Sequence, residues 1–173
     1  MGISVTLNVK GSPELNAALR KLGADAPRGA GAALYQEAET IMGASKLEVP
    51  VDMGPLRASG FVELPKFEGT RATVTMGYSH ETAIWMHEGT GPAVGRPAFF
   101  PPPQAFAGWA ARHGIPTDKG TLFVLARSIG RKGIRPRKFL SGPLQRAENG
   151  MSARLARRME QWLANRPGGG NAP

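Results

Sequence analysis

The chain has no cysteine among its 173 residues. Neither a disulfide framework nor a thiolate metal site can therefore be built, and a reducing cytoplasm is the simplest folding environment. Residues 1–5 lack a basic stretch followed by an apolar run, and no window approaches about 18 uninterrupted apolar residues. We therefore predict a soluble, unexported protein that has no membrane partner.

The sequence also lacks the motifs of common enzyme classes. It contains neither a GxSxG nucleophile elbow nor a GxxxxGKS or GxxxxGKT phosphate loop. Gly89-Thr90-Gly91 is only superficially similar to a glycine-rich loop, because Pro92 follows at once and no helix is predicted to begin there. The expectation is a protein without enzymatic activity and without a cofactor.

Two groups of polar residues remain as candidates for chemistry. His80, His87 and Glu88 carry metal-ligating side chains, but their spacing fits no zinc motif. Their alternative role is structural, with Glu88 accepting local hydrogen bonds and the histidines partly exposed. Asp52 has no second carboxylate at a suitable spacing, so we expect it to bond backbone amides of a turn in which Gly54 takes a positive φ. We predict no metal site.

Acidic residues are scarce in the last quarter of the chain. Residues 1–126 hold 11 basic and 11 acidic residues, whereas residues 127–173 hold 11 basic and two acidic ones, a difference that equals the whole net charge of +9. This asymmetry is typical of a polyanion-facing surface, a solvated helix face or a surface that pairs with an acidic neighbouring subunit. The candidate contacts with DNA or an acidic partner are Arg127, Arg131, Lys132, Arg135, Arg137, Lys138, Arg146, Arg154, Arg157 and Arg158.

The apolar fraction of 41% and the charged fraction of 20% are those of a globular domain. A chain of this length can bury one ordinary core, so we predict one domain over residues 1–166. The run Pro167-Gly168-Gly169-Gly170 predicts a flexible tail over residues 167–173.

In the first half of the chain, apolar periodicity predicts five elements. Residues 3–9 alternate apolar and polar side chains, which predicts a half-buried strand ended by Gly11. A short helix capped by Ser12 should run to Leu22. A long Ala-rich helix should cover residues 30–47, with Leu34, Ala38, Ile41 and Ser45 on one stripe, and end before Pro50. Residues 60–64 and 71–78 predict two strands joined by a hairpin loop over residues 65–70.

The second half predicts mostly helices. Residues 82–88 predict a short apolar turn or a short helix, whereas residues 89–103 hold too many Gly and Pro for regular structure. Residues 104–113 predict a short amphipathic helix, and Thr117 or Asp118 can cap another that ends at Gly133. One final helix should begin at Pro143 and continue past Trp162.

Three segments together resemble the tail-completion or head-tail joining proteins of long-tailed bacteriophages and related gene-transfer particles. Residues 49–59 (VPVDMGPLRAS) are similar to that family's VPVDTGxLRxS segment, and Tyr78 with residues 83–90 (AIWMHEGT) is similar to YAxxxExGT. Residues 137–144 (RKFLSGPL) are similar to RPFLxPAL. The matching residues are Pro50, Asp52, Gly54, Leu56, Ser59, Tyr78, Glu88, Gly89, Thr90, Phe139 and Pro143.

The sequence departs from the family pattern at several points. Met53 replaces the usual Thr, residues 79–82 are inserted after Tyr78, and Lys138 stands where the family tends to have Pro. Residues 101–133 are an extension relative to the shortest members. The match still covers about residues 30–150 in the family's order.

The resemblance implies an α+β fold, in which a small mixed or antiparallel sheet packs against the long helix and further helices follow at the C-terminus. It also implies a virion protein of the tail or neck, made in the bacterial host cytoplasm. Such a protein would form a ring, with six subunits expected, next to the tail terminator, the tail tube or the head-closure protein. The Gly/Pro-rich loop would then serve as an arm toward one neighbour.

Two rival hypotheses come from other classes. The basic C-terminal region could belong to a nucleic-acid-binding accessory protein that contacts phosphates without reading sequence. A small hydrolase or metalloprotein would use His87, Glu88 and Asp52.

Overall fold

The computed structural model describes residues 2–7, 12–52, 54–69 and 71–165. Strand β1 (Ile3–Leu7) is followed by helix α1 (Pro13–Leu22), whose Leu15 amide donates to the Ser12 Oγ at 3.3 Å as predicted. The predicted continuation of the strand to Val9, its end at Gly11 and the predicted tail over residues 167–173 lie outside the described residues.

The long helix is α2 (Ala26–Glu48), which begins four residues earlier than predicted. Pro27 lies in its first turn, where a proline needs no hydrogen-bonding amide. The predicted stripe of Leu34, Ala38, Ile41 and Ser45 is buried. Val49 is extended with ψ of 129°, so the helix ends before Pro50 as predicted.

The sheet is antiparallel and has four strands, with β4 (Arg71–Tyr78) at its centre. On one side β4 pairs with β1, and on the other it pairs with β2 (Gly60–Val62) and then β3 (Lys66–Glu68). The prediction of a loop over residues 65–70 was therefore wrong for half of this segment, which is β3. The register shifts by one residue between β2 and β3, next to Pro65, which has no amide to donate to β4.

The buried face of the sheet packs against α2. Val74, Met76 and Tyr78 of β4 are fully buried, and the Tyr78 hydroxyl hydrogen bonds the Ser45 Oγ of α2 at 2.8 Å. The same core includes buried side chains of α1, Phe139 and Leu140, and the last helix. The fold class is therefore α+β, as predicted.

Two short helices lie on either side of strands β2–β4 in the sequence. The first, α3 (Pro55–Ala58), precedes β2, and the second, α4 (Ala83–Glu88), follows β4. The segment 91–136, here called the arm, then forms two 3₁₀ turns (Gly91–Val94 and Pro103–Phe106), α5 (Ala107–Arg112) and α6 (Lys119–Lys132). Asp118 caps α6 by accepting the Thr121 amide at 3.0 Å, and Gly133 ends it as predicted.

The arm has a small core of its own. Ala110, Leu122 and Ala126 are buried, yet they do not belong to the main hydrophobic cluster. α6 packs chiefly against the two 3₁₀ turns of the arm.

The C-terminal region has two helices where one was predicted. They are α7 (Ser141–Glu148) and α8 (Met151–Ala164), separated by Gly150, whose φ of 71° breaks the helix. Pro143 lies inside the first turn of α7 and does not begin it. α8 packs on α1 and α2. In the described ranges, no helix has the length and apolar character needed to span a membrane.

Candidate functional site

The second and third motif segments, distant in sequence, meet around the ring of Phe139. This ring is fully buried and contacts Tyr78 edge-on, with ring centroids 5.1 Å apart. On its other side it contacts His87, also edge-on, at 5.0 Å. The second and third motifs thus form one packed junction, and Tyr78 ties it to α2 through Ser45. We call Tyr78, His87 and Phe139 the aromatic junction.

His87 is buried, with 5% of its surface exposed, so the expectation of a partly exposed histidine was wrong. Its Nδ1 accepts the Leu140 amide at 3.3 Å, and its Nε2 lies 3.2 Å from the Ser141 Oγ. Because an amide can only donate, Nδ1 must be unprotonated and the neutral ring carries its proton on Nε2. Burial lowers the pKa of His87, against the smaller opposing effect of Glu88.

Because burial lowers the pKa of His87, stability should depend on this residue as the pH is lowered from about 6.5, the ordinary histidine pKa. In this pH range, His87 binds a proton more readily in the unfolded chain than in the folded protein. The free energy of unfolding should therefore decrease as the pH falls. The slope from one such group is at most about 1.4 kcal/mol per pH unit. Urea unfolding across this range measures it.

The variant His87→Asn should remove this slope while its Oδ1 still accepts the Leu140 amide. Glu88 and Asp52, whose pKa values are lowered by Lys138 and Arg112 respectively, affect stability only at more acidic pH. The control is His113→Asn on an exposed helix end. An unchanged slope in His87→Asn would contradict the prediction.

Glu88 and Lys138 form an exposed ion pair beside the junction. The Glu88 carboxylate also lies 3.4 Å from His87 Nε2, which agrees with the expectation that Glu88 accepts local hydrogen bonds. Lys138 has a φ of 48° and donates its amide to the His87 carbonyl. Proline fixes φ near −65° and has no amide. The local path of the chain therefore excludes proline at this position, where the sequence departs from the family pattern.

The first motif is linked to the segment inserted after Tyr78. Ser59 Oγ donates to the Leu56 carbonyl at 2.8 Å and accepts the His80 amide at 3.2 Å, while the Ser59 carbonyl accepts the Ser79 amide. Gly54 has the predicted positive φ, 91°. These residues form turns that hold α3 against the end of β4.

Among the described residues, Asp52 contacts a side chain of the arm and not the backbone amides expected for it. Its carboxylate accepts hydrogen bonds from the Arg112 guanidinium of α5, and this contact is the main cause that lowers the pKa of Asp52. The first motif thus contacts the arm. This contact with Arg112 could not be predicted from the sequence, because no sequence pattern identifies the distant partner of an exposed arginine in a short helix.

Gly89 and Thr90 join the two ends of the arm. The Thr90 amide donates to the Ile134 carbonyl at 2.9 Å, and the Ile134 amide donates back to the Thr90 carbonyl at 3.2 Å. Gly89 has a φ of 76°, and a Cβ there would lie 2.6 Å from the Ile134 carbonyl oxygen. Only glycine fits this close crossing.

The remaining motif residues are structural as well. Leu56 and Pro143 are buried, and Pro50 is half-buried directly after α2. Within the described ranges, there is no group of three or more His, Cys, Asp or Glu side chains that could hold a metal ion. His80, the other histidine of this region, bonds Thr82 Oγ1 at 2.9 Å.

The structure divides the ten basic candidates into two sets. Four of them pair with carboxylates of the chain: Lys138 with Glu88, Arg146 with Glu48, and both Arg154 and Arg158 with Glu37. Glu37 is 1% exposed, so the last two arginines stabilise the interior. These four were predicted as contacts for DNA or an acidic partner, but in the isolated chain they already have partners.

The other six are exposed, and none lies within 4.0 Å of a carboxylate in the described part of the chain. Arg157 lies on α8. The remaining five are confined to the end of the arm and the residue that follows it: Arg127, Arg131, Lys132, Arg135 and Arg137. Lys132 and Arg135 also line an open depression of about 780 Å³ together with Pro92 and Pro136. Five of these six candidates are therefore close together in the chain.

No protein-family model, no curated protein and no solved structure matches this chain. Its function is therefore argued from its own residues and their geometry.

Proposed function

We propose that this protein is a structural virion protein that completes the tail, joins the head to the tail, or does both, in a siphophage-like particle. In this proposal it assembles as a ring of six around the DNA channel, next to the tail terminator, the tail tube or the head-closure protein. It carries out no reaction and needs no cofactor.

The observation that supports the proposal most is the use that the fold makes of the three motifs. Their residues form turns, a buried aromatic junction and the crossing at the base of the arm. An enzyme would be expected to direct such residues into a shared pocket with a nucleophile or base. Here they stabilise a body from which a separate segment extends, as suits an assembly component.

A ring built by head-to-tail contact needs two different complementary surfaces on each subunit. The arm supplies one candidate surface, since Phe99 and Trp109, which lie outside the exposed face of its last helix, are each more than one-third exposed. The body supplies another, with Leu47, Leu64 and Trp85 more than half exposed. Large apolar side chains at such exposure are common at sites that become buried on assembly.

The mass of the protein in solution, alone and with candidate tail-tube, tail-terminator and head-closure proteins, tests this proposal. We expect a ring of six, formed alone or on docking to one of these proteins. Particles assembled without the protein should lack joined heads and tails. A chain that stays monomeric with every candidate and is absent from purified particles would contradict the proposal.

A nucleic-acid-binding accessory protein is the second candidate, favoured by the five unpaired basic residues between Arg127 and Arg137. In that case the purified protein binds random-sequence duplex DNA. If all five contact phosphates, the logarithm of its affinity should fall with the logarithm of the salt concentration at a slope of about −4 to −5. Absence of binding at low salt would count against it.

A further inference from the structure

The outer side of α6 combines apolar and basic side chains. Leu122, Ala126 and Gly130 are buried and define the inner side of the helix. Helical spacing places a different set on the opposite side. Its members are Phe123, Val124, Arg127 and Arg131, all exposed. Phe123 and Val124 expose 48% and 66% of their surfaces.

A neighbouring turn of the arm extends this apolar area. The ring of Phe100 packs against that of Phe123, with centroids 5.3 Å apart, although Phe100 is itself 53% exposed. On the other side of Val124, a shallow groove of about 680 Å³ runs along α6 and includes Ile115 and Leu125. An apolar ridge and an apolar groove thus lie beside two arginines that have no carboxylate partner among the described residues.

We propose that this face of α6, formed by Phe100, Phe123, Val124, Arg127 and Arg131, binds an acidic segment of another protein that also carries apolar side chains. Arginines and aromatic side chains are the groups that contribute most at protein interfaces. The proposal goes beyond the assignment to a phage particle and does not depend on it, because it concerns the chemistry of the partner alone.

The apolar part of the face favours a protein partner over nucleic acid. Phosphate contacts need cations and hydrogen-bond donors, and an exposed valine or leucine adds nothing to them. Aromatic rings assist single-stranded binding when their faces are free for stacked bases. The rings of Phe100 and Phe123 pack against each other, which leaves less of their faces for bases.

Charge favours a different protein over a second copy of this chain. The chain has 13 acidic residues and a net charge of +9. Six of the acidic residues already pair with basic residues of the chain: Glu37, Glu48, Asp52, Glu63, Glu88 and Glu160. A second copy therefore offers Arg127 and Arg131 a surface with more basic than acidic residues, and the equal net charges oppose contact at this face.

Three labelled probes test the proposal on the full chain by fluorescence anisotropy. The first is a helical peptide with Glu on one face and Leu on the other, the second replaces each Leu by Ser, and the third is a random-sequence DNA duplex. At low ionic strength we expect the Glu/Leu peptide to bind about tenfold or more tighter than the Glu/Ser peptide. This comparison needs no variant.

Two variants then assign the binding to the face. Phe123→Ser/Val124→Ser should abolish the preference for Leu over Ser, whereas Arg127→Glu/Arg131→Glu should weaken both peptides about tenfold or more. The matched control is Arg157→Glu, which reverses an equally exposed, unpaired arginine on α8 and should leave the affinities unchanged. Circular dichroism confirms that each variant is folded.

Three results would overturn the proposal. Equal affinity for the two peptides would leave charge as the only source of binding. A duplex that binds tighter than the Glu/Leu peptide, and is unaffected by Phe123→Ser/Val124→Ser, would make the face a nucleic-acid surface. Loss of an oligomer of the protein in that same variant would make a second copy its partner.

Discussion

Replacing Phe139 by alanine is expected to lower the free energy of unfolding by about 3–5 kcal/mol. The ring is fully buried between Tyr78 and His87, so its removal loses apolar burial and leaves a cavity that these two rings cannot fill without moving. Domains of this size are stable by only about 5–15 kcal/mol, so this one change should remove a large part of the total. Urea unfolding measures the loss.

The loss should also have a local signature. The backbone amides of Arg137 and Lys138 donate to the carbonyls of Met86 and His87, directly beside the ring. In Phe139→Ala these amides should exchange with solvent faster than in the parent chain. The control is Phe100→Ala, whose ring is half exposed. Equal urea midpoints for Phe139→Ala and Phe100→Ala would contradict the prediction.

Removing both arginines that contact Glu37, in Arg154→Met/Arg158→Met, should cost about 3–5 kcal/mol. Glu37 is 1% exposed on α2, and its two oxygens lie 2.7 Å and 3.2 Å from nitrogens of Arg154 and Arg158 on α8. Without both partners, a buried carboxylate has no compensation for the water that it lost on folding. Arg154 also donates to the Asn149 carbonyl at 2.8 Å, which links the turn before α8 to the same network.

A triple variant separates this explanation from a loss of packing. Adding Glu37→Met to Arg154→Met/Arg158→Met removes the uncompensated carboxylate, so most of the lost stability should return, since apolar replacement of a whole buried ion network is often neutral. Lys21→Met is the control, because its pair with Glu160 is exposed and should contribute less than about 1 kcal/mol. A triple variant as unstable as the double variant would show that packing is responsible.

The elements could be predicted where local signals agree with one another. The Ser12 cap, the buried stripe of α2, the end of α2 before Pro50 and the Asp118 cap of α6 each depend on residues within one turn of the helix. The errors occurred at two places where the local sequence pattern differs from the structure that the chain adopts. β3 was predicted as a hairpin loop because Pro65 and Gly69 are turn formers, and the three residues between them are too short a run to establish a period. The break at Gly150 interrupts an apolar spacing that continues through α7 and α8.

The candidate site was less predictable than the fold. Sequence placed the motif residues correctly in turns and core positions, as at Gly54 and Tyr78. It did not show that His87 is buried, or that Asp52 contacts Arg112, because both facts depend on residues tens of positions away. It also predicted ten basic residues as one set, although four of them have acidic partners within the chain.

By itself, the sequence determined the absence of thiol chemistry, the helices with strong periodicity and the confinement of the excess positive charge to residues 127–173. Composition and local spacing decide these properties, and tertiary contacts are not needed to establish them. Only the tertiary structure decided which of the candidate positive charges have carboxylate partners and that the second and third motifs meet at Phe139. The reason is physical: salt bridges and ring contacts require atoms within a few ångströms, and the fold alone brings residues separated by 50 to 120 positions to that distance.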